Sequence, residues 1–267
     1  MRSIKTFTLS FALAATLGAP AIAAQCGNDG SGFNAWKAAF AAEAQRAGVK
    51  QPGLNALAQT QYATATIKAD RNQKSFRLTL DRFMEVRGAA TIVNQGRKRK
   101  AQNPGFYQSL EQQYGVPAGV LLAIHGMETG FGGFMGNSRV VSAITTLAYD
   151  CRRSDFFKPH AIGALLLVDQ GTIDASTKGA AHGELGHTQF LPGNAKRYGV
   201  DGNGDGRVDL YNLTDAMAST SNFLRKKGWR PGQGYQEGQP NFQVIKQWNA
   251  ATVYQQAIAI MGARIDG

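Results

Sequence analysis

"GVPAGVLLAIHGMETGFGG", residues 115–133, places one carboxylate, Glu128, at the end of an apolar run and follows it with glycines. In a helix over 117–128, at about 100° per residue, Leu121 and Ile124 define an apolar stripe with Val120 and Met127 at its edge. Glu128 lies four residues after Ile124 and seven after Leu121, so it falls on that stripe and faces the core. A carboxylate there loses hydration and its pKa rises. Such an acid is able to give a proton near neutral pH. Pro117 suits a first helical turn. Gly130, Gly132 and Gly133 stop the helix just after the acid and let backbone come close to whatever occupies the site. The plain structural alternative is a glutamate that caps a neighbouring helix or pairs with Arg139 or Arg152.

Helical periodicity dominates the rest of the chain. Phe33, Trp36, Phe40 and Ala44 repeat at helical spacing. The spacing predicts one long helix over 75–99, whose apolar positions include Phe76, Leu80, Phe83, Met84 and Val86. It runs into the basic stretch "GRKRK" (96–100), a solvated helix end or, on a sharper reading, a contact for a polyanion. Further helices are expected over 106–114, over 159–171 closed by Gly171, over 212–228 capped by Asn212 or Thr214, and over 249–262. Residues 232–243 read as a glycine-rich loop or small hairpin. Strand signals are few, so the fold class is mostly α (α+β).

The first residues have the layout of a secretory signal: Arg2 and Lys5, an apolar stretch, then small residues around Ala21–Ala24. Residues 1–24 are therefore expected to be removed on export, leaving 25–267 as one domain. No other run is long and apolar enough for a membrane span. The formal net charge of +11 favours polyanionic partners without choosing among nucleic acid, anionic lipid and a cell-wall polymer. Cys26 and Cys151 are the chain's two cysteines, and an oxidising compartment favours a disulfide between them. The histidines at 125, 160, 182 and 187 show no zinc-site spacing and read as hydrogen-bonded structural residues.

Four segments in order resemble the membrane-bound lytic murein transglycosylase B family: "YGVPAGVLLAIHGMETGFGGFMGN" (114–137), "GELGHTQFLPGNAKRYGVDGNGDGRVDLYN" (183–212), "DAMASTSNFLRKKGW" (215–229) and "QWNAATVYQQAIAIMG" (247–262). The resemblance runs from about Phe33 to the C-terminus. It implies a lysozyme-like helical fold with a small β-containing subdomain. It also implies non-hydrolytic cleavage of peptidoglycan glycan strands between N-acetylmuramic acid and N-acetylglucosamine, leaving a 1,6-anhydromuramoyl end. Glu128 matches the family's single acid/base, Gln189 and Asn249 match polar residues of the sugar cleft, and Tyr254 matches an aromatic near it. The resemblance further implies a periplasmic monomer that needs no cofactor for its chemistry and has no nucleic-acid partner. His125 stands where the family usually has tryptophan, His187 where glutamine or tyrosine is common, and "LPGNAKRY" replaces the commoner Met-Pro-Ser-Ser-Tyr.

"DGNGDGRVDLYN" (201–212) reads as a 12-residue calcium loop. Asp201, Asn203 and Asp205 take positions 1, 3 and 5, Gly206 the turn, the Arg207 carbonyl position 7 and Asp209 position 9. Position 12 is Asn212, not a bidentate glutamate, so a structural calcium of modest affinity is expected. Two readings compete with the transglycosylase. One is a hydrolase of the same bond, with Glu184 or Asp169 recruiting water. The other is a non-catalytic wall-binding protein that keeps the cleft. Glu184, in its glycine-flanked loop, reads more simply as the acceptor of a backbone hydrogen bond.

Overall fold

A computed structural model of the chain describes residues 24–72 and 78–267. The expected signal segment, apart from Ala24, lies outside the described residues. Among the described residues, thirteen helices and two short strands follow in order: α1 (Phe33–Arg46), α2 (Gln51–Ala58), α3 (Thr64–Arg71), α4 (Leu80–Val86), α5 (Ala89–Gln102), α6 (Pro104–Tyr114), α7 (Ala118–Thr129), β1 (Ser138–Arg139), α8 (Val140–Tyr149), α9 (Ser154–Asp169), β2 (Lys178–Gly179), α10 (Pro192–Tyr198), α11 (Leu213–Lys226), α12 (Phe242–Trp248) and α13 (Thr252–Asp266). No described helix is long and apolar enough to cross a membrane. Among the described residues the strands form one antiparallel pair, Ser138 opposite Gly179 and Arg139 opposite Lys178, with isolated bridges at Gly27–Asp150 and Leu185–Phe190.

The helices pack in two sets around a continuous core. In one, α7 lies against α13, α5, α6 and α11, with α4 and α12 against α13. In the other, α9 lies against α8, α10 and α2, with α1 and α3 alongside. The chain leaves the end of α7 and crosses to the second set through residues 130–139, which places Glu128 at the seam.

Local chemistry explains the ends. Pro117 caps α7 and Gly130, at φ 57°, closes it with its N–H on the Gly126 carbonyl. Asn212 caps α11, its Oδ1 accepting from the Thr214 N–H at 2.8 Å, while Arg225 and Lys226 sit in the last turn. The helix expected over 75–99 is instead α4 and α5, broken at Gly88, whose φ of 65° no continuous helix accommodates. Residues 73–77 lie outside the described residues. α9 starts at Ser154 and carries Pro159 inside it, with Phe157 buried and the Ser154 hydroxyl on the Ala148 carbonyl at 2.6 Å. α8 and α12 were not legible as separate helices, and the last helix begins at Thr252 rather than at 249.

α7 and α13 touch through glycine. A Cβ on Gly119 would lie 2.1 Å from the Gly262 carbonyl oxygen, a backbone atom that cannot step aside alone. Gly119→Val is therefore expected to lower stability by about 1–3 kcal/mol, read as an earlier urea midpoint. An unchanged midpoint would contradict this contact.

Cys26 and Cys151 are bonded, with Cα atoms 4.9 Å apart. The bond reinforces a backbone pairing: Gly27 N–H donates to the Tyr149 carbonyl and Cys151 N–H to the Gly27 carbonyl, each at 3.0 Å.

Candidate active site

Every residue of α7 except Glu128 is buried. The apolar stripe inferred from spacing is thus a helix buried on all sides, and its single opening is at the acid. Tyr254, from α13, donates its hydroxyl to Glu128 Oε1, and Trp248, at the end of α12, donates Nε1–H to the same oxygen at 3.1 Å. Both bonds converge on Oε1 and leave Oε2 without a hydrogen-bond partner among the described residues. Arg139 and Arg152 do not pair with the acid; Arg152 pairs with Asp70. Burial pushes the Glu128 carboxyl up to about 7, and the Glu184 charge adds to this. The Tyr254 and Trp248 hydrogen bonds and Arg87 work against it. The same burial and the neighbouring carboxylate raise the Tyr254 hydroxyl well above its ordinary value, so it stays a donor.

The other candidates fall around this acid in different ways. Tyr254, which the resemblance places at the sugar cleft, is 2% exposed, and its polar atom serves Glu128. Trp248 went unnoticed beside Asn249 in "QWN". Asn249 is half-buried, and its Oδ1 accepts from the Ala251 N–H at 3.0 Å, fixing the joint between α12 and α13. Gln189 is half-buried at φ 56° and gives Nε2–H to the Gly186 carbonyl at 2.7 Å and to the Met135 carbonyl at 3.4 Å. It thereby ties the 183–190 turn to the glycine loop after α7. Phe190 and Trp248 meet edge to face, ring centres 5.1 Å apart, and Trp248 in turn reaches Glu128.

His125 and His187 bond each other, Nε2 to Nδ1 at 3.0 Å, on the face of α7 next to the acid. The Thr129 hydroxyl donates to the His187 carbonyl at 2.7 Å and ties the same helix end to that turn. Burial, then the neighbouring His187 and Arg99, push His125 down to about 3, so the pair is neutral. Gly132 matters here: at φ 84°, a Cβ on it would lie 2.6 Å from the His187 ring.

The two rival carboxylates are otherwise engaged. Asp169 accepts from the Lys50 and Gly53 N–H groups, each at 2.7 Å, and so caps the start of α2. Glu184 accepts from the His182 N–H at 3.1 Å, and its other oxygen lies 3.2 Å from the His182 ring.

The 201–212 loop is turned by its own side chains. Asp201 accepts from the Gly204, Asp205 and Gly206 amides, Asn203 from Asp205, Asp205 from Arg207, and Asp209 from Tyr211. The Asn212 side chain is spent on capping α11. Asp215, fully buried one helical turn on, takes the Gly202 amide at 2.9 Å, the Asn203 amide at 3.2 Å and the Asp209 amide at 2.8 Å. A 12-residue register stops short of it. Among the described residues no three histidine, cysteine or acidic side chains gather at metal-binding separation.

Residues 32–239 match the family model of the transglycosylase SLT domain. Over 123 residues the chain is 36% identical to membrane-bound lytic murein transglycosylase B of Escherichia coli (strain K12), covering 45% of this chain and 34% of that protein. The match thus spans about a third of the length of that curated relative. In structure the chain is similar to SltB3 of Pseudomonas aeruginosa solved with NAG-anhNAM-pentapeptide, at TM-score 0.79 and 27% identity, covering 89% of this chain and 80% of that one. It shares its fold with the Escherichia coli lytic transglycosylase Slt35 solved with calcium, at TM-score 0.68 and 22% identity, covering 91% and 96%.

Proposed function

The chain belongs to the transglycosylase SLT domain family, and on that basis we propose that it is an exported peptidoglycan lytic transglycosylase, with Glu128 as its single acid and base. One observation carries the reading: a buried helix opens only at a carboxylic acid that burial raises to about 7 and whose two hydrogen bonds both fall on Oε1. Protonated Glu128 gives its proton to the glycosidic oxygen as the bond to the muramoyl C1 breaks. The carboxylate then takes the proton of the C6 hydroxyl as that oxygen closes onto C1. The substrate supplies the nucleophile, so no second acid is needed, unlike an ordinary glycosidase. Tyr254 and Trp248 favour the charged form and burial the neutral one, which poises the group between its two tasks. Gln189, through Oε1, and Asn249 line the sugar cleft. The product carries a 1,6-anhydromuramoyl end. Export to the periplasm rests on the N-terminal signal, and the basic net charge suits the carboxylates of peptide stems.

Digestion of purified sacculi tests this. Release of soluble muropeptides is the expected result; binding without release would make the protein a wall-binding relative instead.

Calcium would be held in the 201–212 loop by Asp201, Asn203, Asp205, the Arg207 carbonyl and Asp209, with Asp215 closing it. Hard oxygen donors on a backbone already turned by side-chain-to-amide bonds suit that ion. Its contribution is to neutralise the acids and stiffen the loop. Titration calorimetry after chelation should show calcium binding below about millimolar, lost in Asp215→Ala. Absence of heat at millimolar calcium would remove calcium from the account.

A further inference from the structure

The basic stretch at 96–100 is not used by the cleft, and the structure divides it into two halves. Arg97 Nε donates to the Arg264 carbonyl at 2.7 Å, and Lys100 pairs with Asp266 at 2.8 Å, so these two close the end of α13. Lys98 and Arg99 point the other way. They line a groove of about 540 Å³ between α5 and α6, together with Gln95, Gln102, Asn103 and Tyr107.

No acid lines this groove. Lys98 is exposed and makes no ion pair or hydrogen bond among the described residues. Arg99 spends one N–H on Gln95 Oε1 at 3.1 Å and lays its plane 4.2 Å over the Phe131 ring, which leaves further N–H donors free. Tyr107 is 3% exposed, yet its hydroxyl is not sealed off and has no hydrogen-bond partner among the described residues. Burial raises that hydroxyl above its ordinary value, so it remains a donor. Two cations, a hydroxyl and three side-chain amides thus face one concave surface beside Leu213, with no acid among the described residues lining it.

We propose that the groove between α5 and α6 binds a carboxylate-bearing peptide stem of the peptidoglycan strand, as an anchor outside the cleft. This rests on the transglycosylase reading above. The amides fit peptide N–H and C=O groups, and the cations fit carboxylates. A nucleic acid would call for a longer row of cations at phosphate spacing, which two residues do not make. The position also fits: Phe131, beneath Arg99, lies three residues after Glu128, so the groove abuts the loop that leaves the acid.

The experiment compares intact sacculi with glycan strands stripped of their stems by an amidase. It uses the mature protein, Lys98→Glu and Lys98→Arg; Arg99 is left alone because it packs on Phe131. Lys98→Glu is expected to slow release from intact sacculi by roughly three- to tenfold, the worth of one charged contact. It should leave cleavage of stripped glycan unchanged, with the defect shrinking at high salt and Lys98→Arg behaving as wild type. Equal rates on intact sacculi, or equal losses on both substrates, would overturn the groove as a stem site while leaving the enzyme standing. Salt-sensitive DNA binding lost in Lys98→Glu, with sacculus release unaffected, would reassign the groove and overturn the proposal. Failure of the wild type on both substrates would overturn the functional reading and the groove with it.

Discussion

Glu128→Gln is expected to cut release of anhydromuropeptides by about a thousandfold or more, because one group performs both proton transfers and nothing nearby replaces it. Asp169 is bound to the start of α2 and Glu184 to His182. Glutamine keeps the size of the side chain and still accepts from Tyr254 and Trp248, so the loss is chemical rather than structural. The wild type has its own pH signature. The acid works only while protonated, so activity should fall as pH rises through about 7. Stability moves in the same sense. The folded pKa is raised above the ordinary 4.5, so the neutral acid's advantage is complete below 4.5 and is lost as pH rises through about 7. Glu128→Gln cannot ionise, and it should melt higher than the wild type at pH 8 with little difference at pH 4. Thermal melts at the two pH values check this; a variant less stable than wild type at pH 8 would contradict the raised pKa of the acid.

Removal of the Cys26–Cys151 bond is expected to have the largest effect on stability. The bond closes a sequence separation of 125 residues. Loop-closure entropy for so long a loop is worth about 4–5 kcal/mol in the chain-entropy model. For a domain of this size that is a fall in Tm on the order of 10 °C. The double variant Cys26→Ser/Cys151→Ser, free of unpaired thiols, is the cleaner test. A Tm unchanged from the oxidised wild type would mean that the Gly27 pairing with Tyr149 and Cys151 already holds the N-terminal segment.

The acid was legible in the sequence because helical spacing is arithmetic: four residues from Ile124 and seven from Leu121 put Glu128 toward the core. That α7 has no wet face was not legible, since burial on all sides depends on α13, α5 and α11 arriving from elsewhere in the chain. The disulfide was legible because the chain offers a single pairing. The break at Gly88 was hidden, as one glycine in a helical pattern is compatible with a continuous helix until its φ is known. α12 was obscured by the glycines before it, although Trp248 on that helix touches the acid. Asp215 was missed for a different reason. The loop template ends at twelve residues, and only the folded backbone shows a carboxylate one turn further on taking the Gly202 amide. Asn203 and Asp205 stood out because the motif fixes their spacing; Asp169 read as a rival acid, because the amides it caps are more than a hundred residues away in sequence.

The most direct test of the central claim is digestion of sacculi in oxygen-18 water, followed by mass spectrometry of the released muramoyl ends. A single acid/base that uses the substrate's own C6 hydroxyl predicts anhydro ends, one water lighter than hydrolysed ends and free of the heavy isotope. Hydrated ends carrying oxygen-18 would contradict the account and require a carboxylate that activates water beside Glu128.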